Sequence, residues 1–410
     1  MPPSRTTNAA QAATLDMISV TFLGTASAQP SSTRNHSSLA LSLGGRGDIW
    51  LFDCGEATQQ RIQRSTLKMG KIRKIFITHT HGDHIFGLAP LMAGCMNGAG
   101  GMVDGVADPR NATPNPEPVM PLEIYGPIGT RAYVRSALRL THTRLEGRYV
   151  VHEMRFPRDP QEGDFIHMPR HRCELPGRNI PMHHPEGVEW GKGFWPEIFV
   201  DSQVSVSAAP IEHSVACIGY VFNEAPVPTK MDPSLYVPHL KRNKAPMSHL
   251  SRIQRGETIT LDDGTVLEGL QRKAGRKVVI LGDTHNPAPT IPLAMNADLL
   301  IHEATNAYLP GIDPDTHEED TEETVQARTS SRGHSTPQMA GRFATAINAK
   351  RLALNHFSAR YRGDDDVNEE AKAIMDAIKA LAVKEYTGGE VVCARDYMTI
   401  NVQHSRQMDE

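Results

Sequence analysis

Along the chain, short apolar or β-branched runs recur, and each ends in a polar cluster. They are ISVTFLGT (18–25), DIWLFDCGE (48–56), KIFITHTHGDH (74–84), LEIYGP (122–127), VSVSAAPIEHS (205–214), KVVILGDT (277–284), DLLIHEAT (298–305) and RLALNHFSARY (351–361). Continuous apolar runs of this kind predict strands buried on both faces, because a strand with one solvated face alternates instead. Helical patterns stand between some of them, such as EATQQRIQRSTLKMG and STPQMAGRFATAINAK. The second starts well: Thr336 can cap it and Pro337 suits the first helical position. Strands alternating with helices predict an α/β protein of layered sheets and helices.

Three stretches interrupt this pattern. Residues 97–120 are rich in Gly, Pro and Asn and read as a surface loop. Residues 157–200 carry Pro, Gly, histidines and aromatic residues without clear periodicity. Residues 223–268 read as an excursion that returns through a hairpin at ETITLDDGTVL, where Asp263-Gly264 is a strong turn signal. The expected organisation is a tail over 1–16, one domain over 17–402 carrying those three insertions, and a tail over 403–410.

Composition adds limits. Of 410 residues 39% are hydrophobic and 22% charged, which is ample for a large core. The formal net charge of −4 gives no overall attraction to nucleic acid, so any such contact needs a local basic patch. The five cysteines are odd in number and contain no C-x-x-C pair, which points to a reducing, intracellular compartment. No apolar stretch approaches the roughly 20 residues of a membrane span. Residues 1–16 lack the apolar core of a secretory signal; their small residues and single Arg5 make a weak transit-peptide candidate, and a disordered tail is the favoured reading, so the expected setting is the cytoplasm or nucleus, with a mitochondrion as the alternative.

The chemistry concentrates at His79, His81, Asp83 and His84, which fall within six positions directly after an apolar run. One loop histidine is ordinarily just solvated, but three imidazoles and a carboxylate together are the ligand types zinc accepts. His79 and His81 can project together from the strand end, while Asp83 and His84 enter the next helix at another angle; two angles suggest two ions. Further ligands are expected where other strands end, because α/β proteins gather ligands there. His213, Asp283 and His356 each terminate an apolar run. Singly each could be a capping or internally satisfied residue. Together they give His79, His81, His213 and Asp283 for one zinc and Asp83, His84, His356 and Asp283 for the other, with Asp283 bridging. Manganese or iron(II) would accept the same ligands.

This H-x-H-x-D-H motif with its later His, Asp and His resembles the metallo-β-lactamase superfamily. HEAT (302–305), GHSTPQ (333–338) and HFSARY (356–361) further resemble ribonuclease Z, the tRNA 3′-processing endonuclease, in its short form, with the likeness running from Met17 to Met398. The resemblance implies a four-layer αβ/βα sandwich with a dinuclear site at one edge and a protruding substrate arm. It implies precursor tRNA as substrate, a homodimer as the assembly, and Asp83 as general base. It also implies that His334 and Glu303 serve the leaving oxygen; otherwise His334 is a helix-terminal cap and Glu303 the partner of a metal-binding histidine. Ser358 and Arg360 are candidate phosphate contacts, although Arg360 could be an ordinary surface residue. A small-molecule phosphodiesterase of the same superfamily is the alternative activity.

The substrate arm is expected in 223–268. Within it, between residues 229 and 256, Lys230, Lys241, Arg242, Lys244, Arg252 and Arg255 stand against one acid, Asp232, a local excess able to neutralise phosphates. The family's Gly-Pro pair near the arm tip has Ala245-Pro246 as its nearest match. The family's P-x-K-x-R-N loop reads PSSTRN (30–35), with Ser32 for Lys while Arg34 and Asn35 remain, so both enter as candidate substrate contacts. His167, His171, His183, His184 and Cys173 fit no zinc spacing and read as irregular surface structure. The acidic stretch 313–323 reads as a solvated loop before His334.

Overall fold

Each buried run forms a strand whose two faces meet different partners. Ile18, Val20 and Phe22 point to one cluster and Leu23 to another; Trp50 and Phe52 separate from Ile49 and Leu51 in the same way. Val278 and Ile280 likewise separate from Val279. This period of two, with apolar residues on both sides, is what a sheet covered on both faces requires. The computed structural model describes residues 15–96, 120–186, 193–229 and 231–404. Most of both expected tails, residues 97–119 of the first insertion and Lys230 lie outside the described residues.

Two sheets result. The first runs in the order Thr399–Val402, Ile18–Gly24, Ser38–Leu43, Asp48–Phe52, Ile72–Phe76, Leu122–Pro127, Tyr149–Arg155 and Glu174–Leu175, with Asn179–Pro181 also on Tyr149–Arg155. The second runs Trp195–Val200, Val204–Ile211, Cys217–Glu224, Lys277–Ile280, Leu299–Glu303, Arg351–Asn355 and Glu390–Cys393. Each begins antiparallel and continues parallel. The apolar cluster around Trp50, Phe76, Val206 and Ile301 fills the space between the sheets. Helices Leu88–Met96 and Thr130–Leu140 cover the outer face of the first sheet. Pro337–Ala346, capped by the Thr336 hydroxyl as expected, and Glu369–Glu385 cover the second. Four layers follow, in the αβ/βα order that the motifs imply.

The parallel strands all point one way, which sets the functional edge. Asp48–Phe52, Ile72–Phe76, Lys277–Ile280, Leu299–Glu303 and Arg351–Asn355 end there. The sheets are tied together at that edge: the Tyr220 hydroxyl donates to the Ile77 carbonyl at 2.7 Å, and the Ile218 amide to the Thr78 carbonyl at 3.0 Å. Phe52 and Phe76 stack beneath at 4.8 Å, with Tyr220 edge-on to Phe76.

Two excursions have more structure than their sequences suggest. The 157–200 stretch, read as irregular surface, supplies the short edge strands Glu174–Leu175, Asn179–Pro181 and Trp195–Val200, and Trp195 is wholly buried. The first two, of two and three residues, are too short to show a period. The arm leaves the second sheet after Glu224 on a stalk of Val227–Pro228 paired with Arg272–Lys273. Beyond the stalk, helices Val237–Arg242 and His249–Gln254 and the hairpin of Ile259–Thr260 with Val266–Leu267 enclose Leu240, Ile253, Ile259, Leu261 and Leu267. Gly264 turns that hairpin at φ +83°, where the Asp-Gly signal predicts it.

Candidate metal centre

Seven side chains meet at the functional edge. His79, His81 and His213 form one set of convergent donors, and Asp83, His84, Asp283 and His356 form a second. In the first, His81 Nδ1 lies 3.1 Å from His79 Nε2 and 3.2 Å from His213 Nε2, while Asp283 Oδ2 stands 3.7 and 3.9 Å from the latter two. In the second, His84 Nε2 is 3.3 Å from Asp283 Oδ1 and 3.4 Å from Asp83 Oδ2. His356 Nε2 lies 3.0 Å from Asp283 Oδ2. Asp283 thus presents its carboxylate to both sets.

The donor set fits two cations. Zinc bonds nitrogen at about 2.0–2.1 Å, so tetrahedral ligands stand about 3.3 Å apart, close to the spacings here. His84 Nε2 and His356 Nε2 are buried without a hydrogen bond, a costly state for imidazole nitrogens unless a cation takes their lone pairs. The carboxylates also demand positive charge. Burial opposes a charged His84, yet Asp283 and Asp53 hold its pKa well above the ordinary value. Burial and the neighbouring His84 push His79 well below, so it stays a neutral donor.

Groups behind the ligands fix which nitrogen faces inward. His84 Nδ1 donates to Asp53 Oδ2 at 2.6 Å, and His213 Nδ1 to the Gly333 carbonyl at 2.8 Å. His79 Nδ1 meets the Thr78 hydroxyl at 3.0 Å, which in turn donates to Asp53 at 2.8 Å. The Thr78 amide donates to the same carboxylate at 2.7 Å. Asp53 therefore orients two histidines through one buried carboxylate. Sequence reasoning missed it; the available signal was its place at the end of the DIWLF run, like the other strand-end residues.

Asp83 caps the second set. Its Oδ2 accepts from the Ala28 amide at 2.9 Å. Burial would raise its pKa, but His84 and His356 hold it well below the carboxylate range. Beside the centre, Glu303 is buried and accepts from the Thr284 amide at 2.6 Å, the Thr305 hydroxyl at 2.5 Å and the Ser335 amide at 3.1 Å. His334 Nδ1 sits 3.1 Å from Glu303 and 3.8 Å from Asp283. Burial disfavours its charged form, but Glu303, then Asp283 and Asp83, push its pKa up to about 9. Cations at the centre would offset the two aspartates and leave Glu303 as the group that holds the proton.

The candidate substrate contacts divide. Arg34 is corrected: it is 1% exposed, and its guanidinium donates to the carbonyls of Tyr361 (2.7 Å), Ala394 (2.9 Å) and Arg362 (3.3 Å) and to the Thr25 hydroxyl (2.8 Å). With its donors taken inside the protein it braces the 30–35 loop and cannot reach RNA. Asn35 ties the same loop to the Glu56 carbonyl at 2.8 Å and is half-buried. Ser358 is half-buried next to His356, paired with Ser27. Arg360 is exposed, with its guanidinium on Asp313 at 3.1 Å. On the arm Lys241 and Lys244 are exposed, but Arg242 is clamped by Asp263 at 2.7 Å, and Arg252 and Arg255 share Glu257 at 2.7 and 3.3 Å. The arm's positive excess is thus smaller than the run 229–256 alone implies. The group His167, His171, His183 and His184 enters no metal-holding cluster among the described residues.

Comparison with known proteins agrees with this geometry. Residues 18–98, which include the His79–His84 motif, match the family of the anti-Pycsar protein Apyc1. The chain is 34% identical over 409 residues to human zinc phosphodiesterase ELAC protein 1, covering 93% of this chain and 98% of that protein. It is 35% identical over 348 residues to ribonuclease Z of Limosilactobacillus reuteri, covering 83% and 88%. The crystal structure of human tRNase Z, short form, matches at 29% identity with a TM-score of 0.56, over 94% of this chain and 99% of that one. A long-form RNase Z from yeast shares the fold at 16% identity and a TM-score of 0.52, this chain spanning 41% of its length. The two donor sets at the strand ends and these near full-length likenesses agree: the chain belongs to the ribonuclease Z family of the metallo-β-lactamase fold.

Proposed function

We propose that the protein is a zinc-dependent endoribonuclease that hydrolyses the phosphodiester at the 3′ end of precursor tRNA. It removes the trailer and leaves a 3′-hydroxyl on the tRNA and a 5′-phosphate on the trailer. The observation that carries this reading is the pairing of two donor sets through Asp283 with the half-buried His334 on the buried Glu303 alongside. Its relatives are named ribonuclease Z and tRNase Z, which supports the substrate.

His79, His81 and His213 would hold one zinc and Asp83, His84 and His356 the other, with Asp283 shared. Two bound zinc ions supply the charge that polarises the phosphoryl group and makes water a nucleophile near neutral pH. Asp83 directs Oδ2 towards His84 and His356, which leaves Oδ1 to take the water's proton. As the P–O3′ bond breaks, the departing oxygen needs a proton. His334 gives it from Nε2, since Nδ1 is engaged by Glu303. Glu303 keeps that imidazole protonated and oriented.

The arm grips the RNA body through Lys241 and Lys244, and Ser358 and Arg360 lie next to His356 to meet phosphate. Glu224 and Lys277 bound the arm's root at the ends of their strands away from Asp283, so the arm leaves the sandwich opposite the metal centre. That placement favours a homodimer in which one subunit's arm holds the RNA that the other cuts. An intracellular setting accords with five free cysteines, and among the described residues no helix is long and apolar enough to cross a membrane.

Purified protein incubated with a 3′-extended precursor tRNA is expected to release the trailer with the stated ends and to stop when a chelator is added. Turnover of bis(p-nitrophenyl) phosphate with the precursor left intact would hand the site to the small-molecule alternative.

A further inference from the structure

A second positive surface lies away from the arm. Segments 139–148 and 167–172 carry Arg139, Arg144, Arg148, Arg170 and Arg172 against Glu146 alone, in a chain of net charge −4. The fold brings them to one corner. Arg139 donates to the Arg170 carbonyl at 3.2 Å, and Arg148 to the Arg172 carbonyl at 3.3 Å. Arg139, Arg148, Arg170 and Arg172 are all exposed. The acids that could neutralise them are taken: Asp164 pairs with Arg131 and Arg135, and Glu174 with Arg135. Among the described residues none of these four arginines stands in an ion pair. On the arm, by contrast, Arg242, Arg252 and Arg255 each meet a carboxylate.

The corner's position is fixed by strand direction. Arg148 immediately precedes the strand Tyr149–Arg155, and its carbonyl accepts from the Leu122 amide at 3.0 Å, at the start of Leu122–Pro127. The Tyr149 amide donates to the Cys173 carbonyl at 3.1 Å, next to Arg172. These are the starts of parallel strands whose neighbour, Ile72–Phe76, runs on towards His79. The corner therefore lies at the end of the sandwich away from the metal centre, the same end from which the arm departs.

We infer that this arginine corner is a second RNA-binding site, which takes the phosphate backbone of the RNA held by the arm. It rests on the ribonuclease reading for the identity of that RNA. Guanidinium groups without carboxylate partners bind phosphate oxygens and release counterions, so each contact adds to the salt dependence of binding. A corner this far from the centre adds affinity and leaves the chemistry alone.

The test is the affinity of the intact protein for two RNAs across a salt series: a mature tRNA without trailer, and a single-stranded trailer alone. The variant R170A/R172A is expected to bind more weakly, with the slope of log K against log salt smaller in magnitude by about 1.4–1.8 for two lost contacts. R170K/R172K should restore most of that slope, which a merely structural role would not predict. Weakened binding of mature tRNA supports the assignment to the RNA held by the arm, whereas loss confined to the trailer overturns it. Turnover of bis(p-nitrophenyl) phosphate by both variants should match the parent. Unchanged affinity and slope in R170A/R172A for both RNAs overturn the proposal. A parent protein that binds tRNA in this way but never cuts the precursor would sink the ribonuclease reading and leave the corner standing.

Discussion

At the metal centre three of the imidazoles are held from behind: His84 by Asp53, His79 by Thr78 and His213 by the Gly333 carbonyl. The cations of the arm are held by nothing deeper than surface carboxylates, over a small separate core of Leu240, Ile253, Ile259, Leu261 and Leu267. The difference follows from what each region must do. Chemistry at phosphorus needs donors fixed to a fraction of an ångström, which only buried strand ends with hydrogen-bonded partners supply. Gripping a sugar-phosphate backbone needs charge and reach, and tolerates motion. Substitutions in the two regions should therefore fail differently.

The sharpest break is expected from Asp83→Ala. As proposed ligand and proton acceptor, Asp83 should account for a loss of about 10³–10⁴-fold or more in kcat, on precursor tRNA and bis(p-nitrophenyl) phosphate alike. Near-normal turnover with both zincs bound would refute its role. His334→Ala is expected to slow tRNA cleavage by about 10²–10³-fold with zinc content intact. Loss of zinc would instead make His334 a ligand, a role its place beside His213 and Asp283 permits. Glu303→Gln separates the two by pH. His334 must be protonated to serve the leaving oxygen, and Glu303 is what keeps it so, with a pKa pushed up to about 9. Activity should fall as pH rises through that pKa, and the fall should begin at lower pH in the variant. An unmoved alkaline limb would exclude the couple.

Asp53→Ala tests the layer behind the ligands. Two histidines lose their orientation at once, so zinc affinity should drop by about 10–100-fold in competition with a chelator, while the arm's hold on RNA is unaffected. Equal retention of zinc in variant and parent would make Asp53 a packing residue only.

How much of this the sequence disclosed follows the same division. His79, His81, Asp83, His84, His213, Asp283 and His356 were legible because ligand chemistry and strand termination are both local, and the fold turns strand ends into neighbours. Asp53 has the same placement but was hidden, since its partners at Thr78 and His84 lie 25 and 31 residues on and it bears no ligand pattern of its own. Arg34 was misread for a related reason. The carbonyls that bury it come from residues 327 and 360 positions away, and no local count of charge registers them. Arg34→Ala should accordingly destabilise the fold by on the order of 3 kcal/mol, from about 1 kcal/mol for each carbonyl left unpaired. Thermal unfolding reads this directly, and an unchanged Tm would return Arg34 to the surface. The arm shows the same blindness: its basic run looked unopposed because Glu257 and Asp263 stand just beyond it in sequence.

That correction sets the smallest expected effect. With Arg242, Arg252 and Arg255 already paired, Lys241 and Lys244 are the exposed cations beyond the arm's stalk, within the described residues, that lack a carboxylate partner. Removing both as Lys241→Ala with Lys244→Ala should leave Tm, zinc content and turnover of bis(p-nitrophenyl) phosphate untouched. The KM for precursor tRNA should rise several-fold, and the salt slope of tRNA binding should fall by about 1.4–1.8. A contact to the RNA body is made equally in the ground and transition states, so the change should appear in KM and leave kcat alone. A fall in kcat without a change in KM would mean that the arm positions the scissile bond, and the separation of gripping from chemistry would not hold.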